Sequence, residues 1–252
     1  MPRLLKQIVI ALIFFSAVGS IAYFSLVKDE PVLSPLPVQS SSPLLVISQK
    51  LLKVGDKDYD FLAEIKNPNS DFGAAEVFYE LNLFDPGGGL EDSKKGKLAL
   101  LPQETRFEIV SPVRTESEIS RTEFKITSAV FEKLKEYIPQ NIFSARNEEY
   151  SLLPSNQGFS RLKAAIINNS NFDFDRADVL VILFGEGDSV IAVNKTDIRT
   201  FLAGETRDIE IKWFSPFDGQ VFRTETRVYT DVFRNSNFIK EHGTQERFQK
   251  FY

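Results

Sequence analysis

Two stretches about a hundred residues apart have nearly the same sequence, and this repeat constrains the fold more than any other feature. Residues 104–112 read ETRFEIVSP, and residues 205–216 read ETRDIEIKWFSP. When the chain is aligned with itself at an offset near 101, the blocks ETR, SP and RTE recur in the same order. Three ordered matches indicate an internal duplication. We therefore expect two sister domains that share one strand order.

Each repeat unit has the two-residue periodicity of β-strands. Apolar residues occupy every second position from Val77 to Leu83, and Glu76, Glu80 and Asn82 lie among them, as in a strand with one buried face. Turn-forming segments separate such runs: NPNS, PGGG and PQ in the first unit, and NNSN, GEGD and AG in the second. Six or seven short strands in fewer than about a hundred residues are typical of an immunoglobulin-like antiparallel β-sandwich.

The N-terminal region predicts a membrane anchor. Residues 8–27, IVIALIFFSAVGSIAYFSLV, form a run of 20 residues without a charge. A helix of that length spans about 30 Å, the thickness of the hydrocarbon core. Because Arg3 and Lys6 precede the run, the positive-inside rule places the N-terminus in the cytoplasm and the later residues outside it. The alternative is a cleaved signal peptide, with small residues at 19–22 as a weak cleavage site, and it exports the same remainder.

Composition then divides the rest of the chain. Residues 28–43, KDEPVLSPLPVQSSSP, contain four prolines and four serines, as extended linkers do. The predicted fold class is all-β, with two tandem immunoglobulin-like antiparallel β-sandwiches behind one N-terminal transmembrane helix. The expected segments are a cytoplasmic N-terminus (1–7), a transmembrane signal anchor (8–27), the linker (28–43), β-sandwich domain 1 (44–130), an interdomain connector (131–148), β-sandwich domain 2 (149–234) and a C-terminal tail (235–252).

Two of these segments leave alternatives open. The connector is long enough for a short helix or for an extended strand-like link, because Pro139 divides it. The tail follows the last expected strand and has five apolar residues among charged ones. It is either a frayed terminus or a short docking peptide that becomes ordered on a partner.

Charge and cysteine content exclude several classes of function. The chain has 30 basic and 35 acidic residues, a net charge of −5, and no cysteine. A mildly acidic chain lacks the basic face that phosphate backbones require, so we expect no nucleic-acid partner. Without cysteine there is no disulfide, no thiolate nucleophile and no cysteine-based metal site. The absence of cysteine also fits a bacterial envelope protein.

The usual motifs of catalysis are missing. His242 is the single histidine, so it alone could serve in a Ser-His-Asp triad, and an H-E-x-x-H metal site, which needs two histidines, is excluded. Gly87–Gly89 predicts a hairpin turn, because the phosphate-loop pattern G-x-x-x-x-G-K-[ST] is absent. Asn168 and Asn194 begin N-x-S/T sequons, which matter only in a host that glycosylates them. We predict no enzyme, with no catalytic, cofactor-binding or metal-binding residues and no cofactor.

Two groups of residues are candidate ligand sites. Asp173, Asp175 and Asp178 offer hard oxygen ligands for calcium in a loop, although a solvated loop with internal hydrogen bonds is the expected state. Arg106 and Arg207 take equivalent places in the repeat and are candidate anion ligands. We expect their role to be structural, with the Glu-Thr-Arg segment facing solvent or pairing across its sheet.

The stretch ELNLFDPGG at 80–88, which follows NPNS, resembles the core of the FxLYD domain, a small immunoglobulin-like sandwich of bacterial and archaeal envelope proteins. The five-residue signature of that family would fall on residues 81–85 in the first unit and 181–185 in the second. Leu or Val replaces the first Phe, Phe replaces Tyr, and the second copy lacks the Asp. The resemblance implies an immunoglobulin-like fold outside the cytoplasm, and it brings no catalytic residues.

These observations lead to one functional expectation and one alternative. The expected protein is a non-catalytic, single-pass membrane protein, anchored through residues 8–27, whose extracytoplasmic domains mediate protein–protein interaction in the cell envelope. The alternative is an extracytoplasmic module that binds a glycan, a small ligand or calcium. An exposed apolar patch favours the protein partner, whereas a concave patch favours the ligand.

Overall fold

The computed structural model of the chain describes residues 41–133, 139 and 142–241, together with Arg3 and Ser16. The expected anchor at 8–27 lies outside the described residues except for Ser16, and so do residues 28–40 of the expected linker. Within the described residues, no helix has the length and apolar character needed to cross a membrane. The described residues from 41 to 241 form thirteen β-strands and two short 3-10 helices, so the predicted all-β class is confirmed for this part.

The first half of the described chain forms two antiparallel sheets. Its strands are β1 (Leu45–Lys53), β2 (Asp58–Lys66), β3 (Phe72–Phe84), β4 (Leu90–Leu100), β5 (Thr105–Arg114) and β6 (Arg121–Lys133). One sheet has the order β1-β2-β5 and the other has the order β4-β3-β6. Every neighbouring pair is antiparallel.

The second half repeats this arrangement strand for strand. Its strands are β7 (Phe143–Leu152), β8 (Ser160–Asn168), β9 (Phe172–Phe184), β10 (Val190–Phe201), β11 (Thr206–Trp213) and β12 (Arg223–Tyr229). The sheet orders are β11-β8-β7 and β10-β9-β12. They equal the orders of the first half, as a duplication predicts. The 3-10 helices are Glu186–Asp188 and Asn235–Asn237.

The strands extend into two segments that the sequence assigns to a connector and a tail. β6 ends at Lys133 and β7 begins at Phe143, so both enter the expected connector at 131–148. A thirteenth strand, β13 (Phe238–Glu241), pairs with the start of β9 inside the expected tail. The ring of Phe238 contacts the rings of Phe172 and Phe174, at centroid distances of 5.4 and 5.3 Å. These aromatic contacts bind β13 to the sheet, and residues 242–252 lie outside the described part.

Within each half, the two sheets face each other across an apolar core. The predicted alternation from Val77 to Leu83 is confirmed, because residues 77, 79, 81 and 83 are all buried in the first core. The main residues of the first core are Phe61, Ile65, Val77, Leu81, Leu83, Leu100 and Phe124. Those of the second are Leu162, Ile166, Val179, Val181, Leu183, Phe201, Ile211 and Trp213. Each half is therefore a β-sandwich.

A third apolar cluster joins the two sandwiches. Sheet β1-β2-β5 contributes Leu52, Leu62 and Ile109, and sheet β10-β9-β12 contributes Leu180, Ile182, Phe184, Val193 and Tyr229. The four sheets consequently form successive layers with three apolar clusters between them. Strand β9 differs from β3 in this respect, because its residues 179–184 are all buried. Their sequence, VLVILF, is the continuous apolar run typical of a strand covered on both faces.

The repeated motifs hold the same turn together in both halves. The buried amide of Asn67 donates to the carbonyls of Phe72 and Leu101, at 2.8 and 2.9 Å. Asn168 makes the equivalent bonds to Phe172 and Leu202, at 2.8 and 3.0 Å. A fully buried amide with several backbone partners ties three chain segments at one point. Because its amide nitrogen is engaged in this way, Asn168 is not accessible for glycosylation in the folded chain.

The ETR and RTE blocks also have structural roles. The carboxylates of Glu104 and Glu205 accept hydrogen bonds from the backbone N–H groups of Leu101 and Leu202, at 2.6 and 2.8 Å. These bonds close the turn before β5 and before β11. In the RTE blocks, the guanidinium of Arg121 lies 3.8 Å from the ring centroid of Phe84. Arg223 lies 3.6 Å from that of Phe184, so the same cation–π contact occurs in both sandwiches.

Candidate functional site

An open cleft lies where the two sandwiches meet, close to the ends of strands that carry the ETR turns. Its volume is about 430 Å³. The first sandwich contributes residues of β4 and β5, and the second contributes residues of β9, β10 and the segment after β12. The lining residues are Lys97, Leu98, Ala99, Arg106, Asp175, Arg176, Asp178, Arg199, Thr230, Asp231, Arg234, Ser236 and Asn237.

Arg106 is the most buried charged residue of this cleft, with 7% of its surface exposed. Its Nη1 donates to the carbonyl of Ala99 at 3.1 Å. Its guanidinium carbon lies 4.5 Å from the ring centroid of Tyr229, which fixes the plane of the group by stacking. Its Nη2 lies 3.9 Å from Oδ2 of Asp178. The Nε atom is buried and has no hydrogen-bond partner among the described residues.

The rim of the cleft carries four more cations. Arg176 donates through Nε to Asp178 at 2.6 Å, and Arg234 pairs through Nε with Asp231 at 3.1 Å. Arg199 pairs with Asp197, and Lys97 pairs with Glu76. The lining thus brings together five basic side chains and three carboxylates on a chain whose net charge is −5.

Polar groups beside Arg106 are held in a desolvated setting. The Tyr229 hydroxyl accepts the backbone N–H of Phe107 at 3.1 Å, and burial raises the pKa of Tyr229 to about 12. Burial also raises the pKa of Glu108, whose carboxylate accepts a hydrogen bond from the Tyr79 hydroxyl at 2.9 Å. In such surroundings electrostatic interactions are stronger than in water, because less solvent screens them.

The structure separates the two arginines that the repeat makes equivalent. Arg207 is exposed, hydrogen-bonds the carboxylate of Glu205, and donates through Nη2 to the carbonyl of Thr200 at 3.3 Å. Arg106 is buried in the cleft, so the two do not form one anion site.

The candidate calcium ligands do not come together. Asp173 is fully buried and accepts the backbone N–H of Ala203 at 2.8 Å. Asp178 pairs with arginines, whereas Asp175 is exposed. Among the described residues, no three acidic or histidine side chains form a group that could hold a metal ion.

The remaining motifs occupy ordinary structural positions. In the hairpin after β3, Asp85 accepts the N–H of Gly89 at 2.9 Å through its side chain. Gly88 has a φ of 83°, which glycine adopts without strain, so the predicted hairpin turn at 87–89 is confirmed. His242 lies outside the described residues. Asn194 uses its amide to donate to the carbonyl of Lys212 at 2.9 Å.

A group of exposed apolar side chains lies at the end of the second sandwich that is away from the cleft. Three loops meet there: 153–159 between β7 and β8, 185–189 between β9 and β10, and 214–222 between β11 and β12. Phe214 and Phe222 in these loops are 76% and 66% exposed, and Leu152 at the end of β7 is 67% exposed. These are the three most exposed large apolar side chains in the described part of the chain.

The sequence indicated Arg106 as a candidate anion ligand, but not the other basic residues of the cleft. Arg176, Arg199 and Arg234 lie on three different segments of the second sandwich and share no motif. Lys97 comes from the first sandwich. Only the packing of one copy on the other brings them together, and a single sequence carries no signal of that packing.

Comparisons with known proteins give little further information. No protein-family model matches the chain, and no curated protein matches it. Among solved structures, the transglutaminase of red sea bream is similar to it at 13% sequence identity and a TM-score of 0.27. The similarity covers 75% of this chain and 29% of that enzyme, so this chain spans less than a third of the enzyme's length.

Proposed function

We propose that this chain is a non-catalytic, single-pass membrane protein whose two immunoglobulin-like sandwiches, of the FxLYD kind, bind a protein partner in the cell envelope. The uncharged run at 8–27 supports the anchor, and the basic residues before it support a cytoplasmic N-terminus. The shared order of six strands in each half supports the tandem arrangement.

The observation that carries the proposal is the apolar end of the second sandwich, formed by Leu152, Phe214 and Phe222. Loops at one end of a sandwich are common binding sites, because a rigid scaffold holds them. Covering one large apolar side chain contributes about 1.5–3 kcal/mol, and aromatic residues are frequent hot spots of protein interfaces.

Charge beside this end indicates the chemistry of the partner. Phe222 donates its backbone N–H to Phe184 at 2.9 Å, which places it beside the loop that contains Glu186 and Asp188. Both acidic residues are exposed, and Arg223 pairs with Asp188 at 3.2 Å. We therefore expect a protein whose contact surface has apolar side chains flanked by basic ones.

Crosslinking in native membranes, followed by recovery through a C-terminal tag and mass spectrometry, tests this proposal. The wild-type chain should recover one protein in near-stoichiometric amount, and the double variant F214S/F222S should recover at least tenfold less. L90S is the matched control, because Leu90 is 60% exposed on the first sandwich and should tolerate the change. Equal recovery by the double variant, or no specific protein with the wild type, would reject a partner at this end.

The alternative, a small-ligand module, is favoured by the cleft rather than by the apolar end. The cleft is concave and carries convergent polar groups, which are features of ligand sites. A calcium-binding module has no support in the described residues, because Asp173, Asp175 and Asp178 do not form one group.

A further inference from the structure

We propose that the cleft between the two sandwiches binds an oxyanion, the phosphate or carboxylate group of a small ligand, and that Arg106 is its central ligand. This site lies away from the loops that carry Phe214 and Phe222. It goes beyond the proposed protein-binding function and does not depend on it.

The buried positive charge of Arg106 is incompletely paired. Asp178 is the only carboxylate within 4.0 Å of the Arg106 guanidinium in the described part of the chain, and it lies at 3.9 Å. The same carboxylate is 2.6 Å from Arg176, so two cations share one anion. Glu104 and Glu108 act on Arg106 only from beyond this distance, so the buried guanidinium has one distant, shared ion-pair partner and an unpaired Nε, and an external anion would offset the cost of burying it.

The duplication supplies an internal control for Arg106, because Arg207 occupies the equivalent position in the second copy. Arg106 and Arg207 both donate to the carbonyl seven residues before them, that of Ala99 and that of Thr200. An arginine thus makes the equivalent backbone hydrogen bond in each copy. That bond does not need a buried arginine, because Arg207 makes it while it is exposed and paired with Glu205. The burial of Arg106 in a cleft is an additional property of the first copy.

The Arg106 guanidinium is preorganised to bind an oxyanion. The ring of Tyr229 and the carbonyl of Ala99 hold the Arg106 guanidinium in one plane and one position. A fixed guanidinium fork matches the geometry of carboxylate and phosphate oxygens, and it loses little freedom when they bind. Arg176 and Arg234 also line the cleft, each paired with one aspartate, and the lining as a whole has five basic side chains against three carboxylates.

The size and polarity of the cleft limit the ligand. A volume of about 430 Å³ accommodates a small organic anion. Ser236 is a neutral polar residue of the lining, whereas Thr230 and Asn237 use their side chains to hydrogen-bond each other and the backbone of the cleft wall. We therefore expect a compact polar anion rather than an apolar acid.

Isothermal titration calorimetry of the full chain in detergent, at constant ionic strength, tests the proposal. The probes are inorganic phosphate, pyrophosphate and citrate, with sodium chloride as the blank. We expect saturable binding of at least one probe to the wild-type chain and at least tenfold weaker binding to R106K. R207K is the matched control and should bind like the wild type. Preference for pyrophosphate or for citrate distinguishes a phosphate ligand from a carboxylate ligand.

A variant with the opposite effect guards against loss of binding through misfolding. D178N removes the carboxylate that competes for Arg106 and Arg176, so it should bind the anion several-fold more tightly than the wild type. Absence of saturable binding for all three probes would overturn the proposal. Unchanged affinity in R106K, or weaker binding in D178N, would also overturn it, because the incompletely paired charge of Arg106 would then not be the determinant.

Discussion

Arg106 and Arg207 stand at the same place in the repeat, yet their surroundings have little in common. Each donates a hydrogen bond to the equivalent backbone carbonyl near the end of the preceding strand, that of Ala99 or that of Thr200. Arg106 then stacks on Tyr229 from the other sandwich, whereas Arg207 remains exposed beside its own Glu205. Duplication thus supplies the fold twice, and the packing of one copy on the other creates the site that neither copy has alone.

The largest expected effect concerns what the two copies share. Asn67→Ala and Asn168→Ala each remove two or more side-chain hydrogen bonds to backbone carbonyls in a buried turn. Each variant should lose about 3 kcal/mol of unfolding free energy, because each buried hydrogen bond that is lost costs about 0.5–1.5 kcal/mol. Denaturant titration measures both. A near-neutral result for one of them would show that the two turns are not equivalent.

The next prediction concerns the apolar cluster between the sandwiches. Ile182 is fully buried there, and Ile182→Ala should cost about 2–4 kcal/mol through lost burial and the cavity left behind. Val130→Ala is the control on an outward face, where we expect a change within about 0.5 kcal/mol. If Ile182→Ala were as mild as the control in the same titration, the cluster would not be buried in solution.

The two arginines themselves give a smaller contrast. Arg106→Lys removes the planar stack on Tyr229 and the bond to Ala99, so we expect a loss of about 1–2 kcal/mol. Arg207→Lys changes an exposed pair and should cost less than about 0.5 kcal/mol. Thermal unfolding of the two variants side by side measures the difference. Equal losses would contradict the different settings of the two copies.

The smallest effect is a difference in pH dependence. Burial raises the pKa of Glu104, although Arg106 opposes this. At Glu205 partial burial opposes ionisation, but hydrogen bonds from Arg207 and the Leu202 N–H hold its pKa below the usual value. The contribution of Glu104 to stability is therefore present below its unfolded-state pKa of about 4.3 and declines as the pH rises through the folded-state value. That of Glu205 is present above about 4.3 and is lost as the pH falls through its lower folded-state value.

Glutamine variants test these opposite signs. Relative to the wild type, Glu104→Gln should be more favourable at neutral pH than in acid, and Glu205→Gln should be less favourable at neutral pH than in acid. Each difference should be at most about 1 kcal/mol. Urea titrations at about pH 3.5 and pH 7 measure them. The same sign of pH dependence in both variants would contradict the contrast.

Much of the fold could be predicted from the sequence, because it depends on local patterns. Alternation from Val77 to Leu83 gave a strand, and the ordered blocks gave a duplication. The run VLVILF at 179–184 is apolar at every position, and the sequence does not say which second layer covers such a strand. The covering sheet comes from the other copy, about a hundred residues away.

The cleft could not be predicted, because it depends on how the copies pack. Gly73 and Asp173 are equivalent positions at the starts of β3 and β9, and their difference has no evident meaning in the sequence. In the structure, a Cβ at position 73 would lie 2.2 Å from Cζ of Phe233 in the second half. Glycine at this position allows the close approach of Phe233 from the second half.

The central claim is that the two sandwiches share a buried interface and unfold as one body. Differential scanning calorimetry of the full chain tests it most directly, with I109A and I182A as probes, one in each sandwich. We predict one cooperative transition, shifted to lower temperature as a whole by either variant, with effects that are not additive in the double variant because the sites share one cluster. Two separate transitions, each sensitive to the variant in its own sandwich alone, would contradict this account.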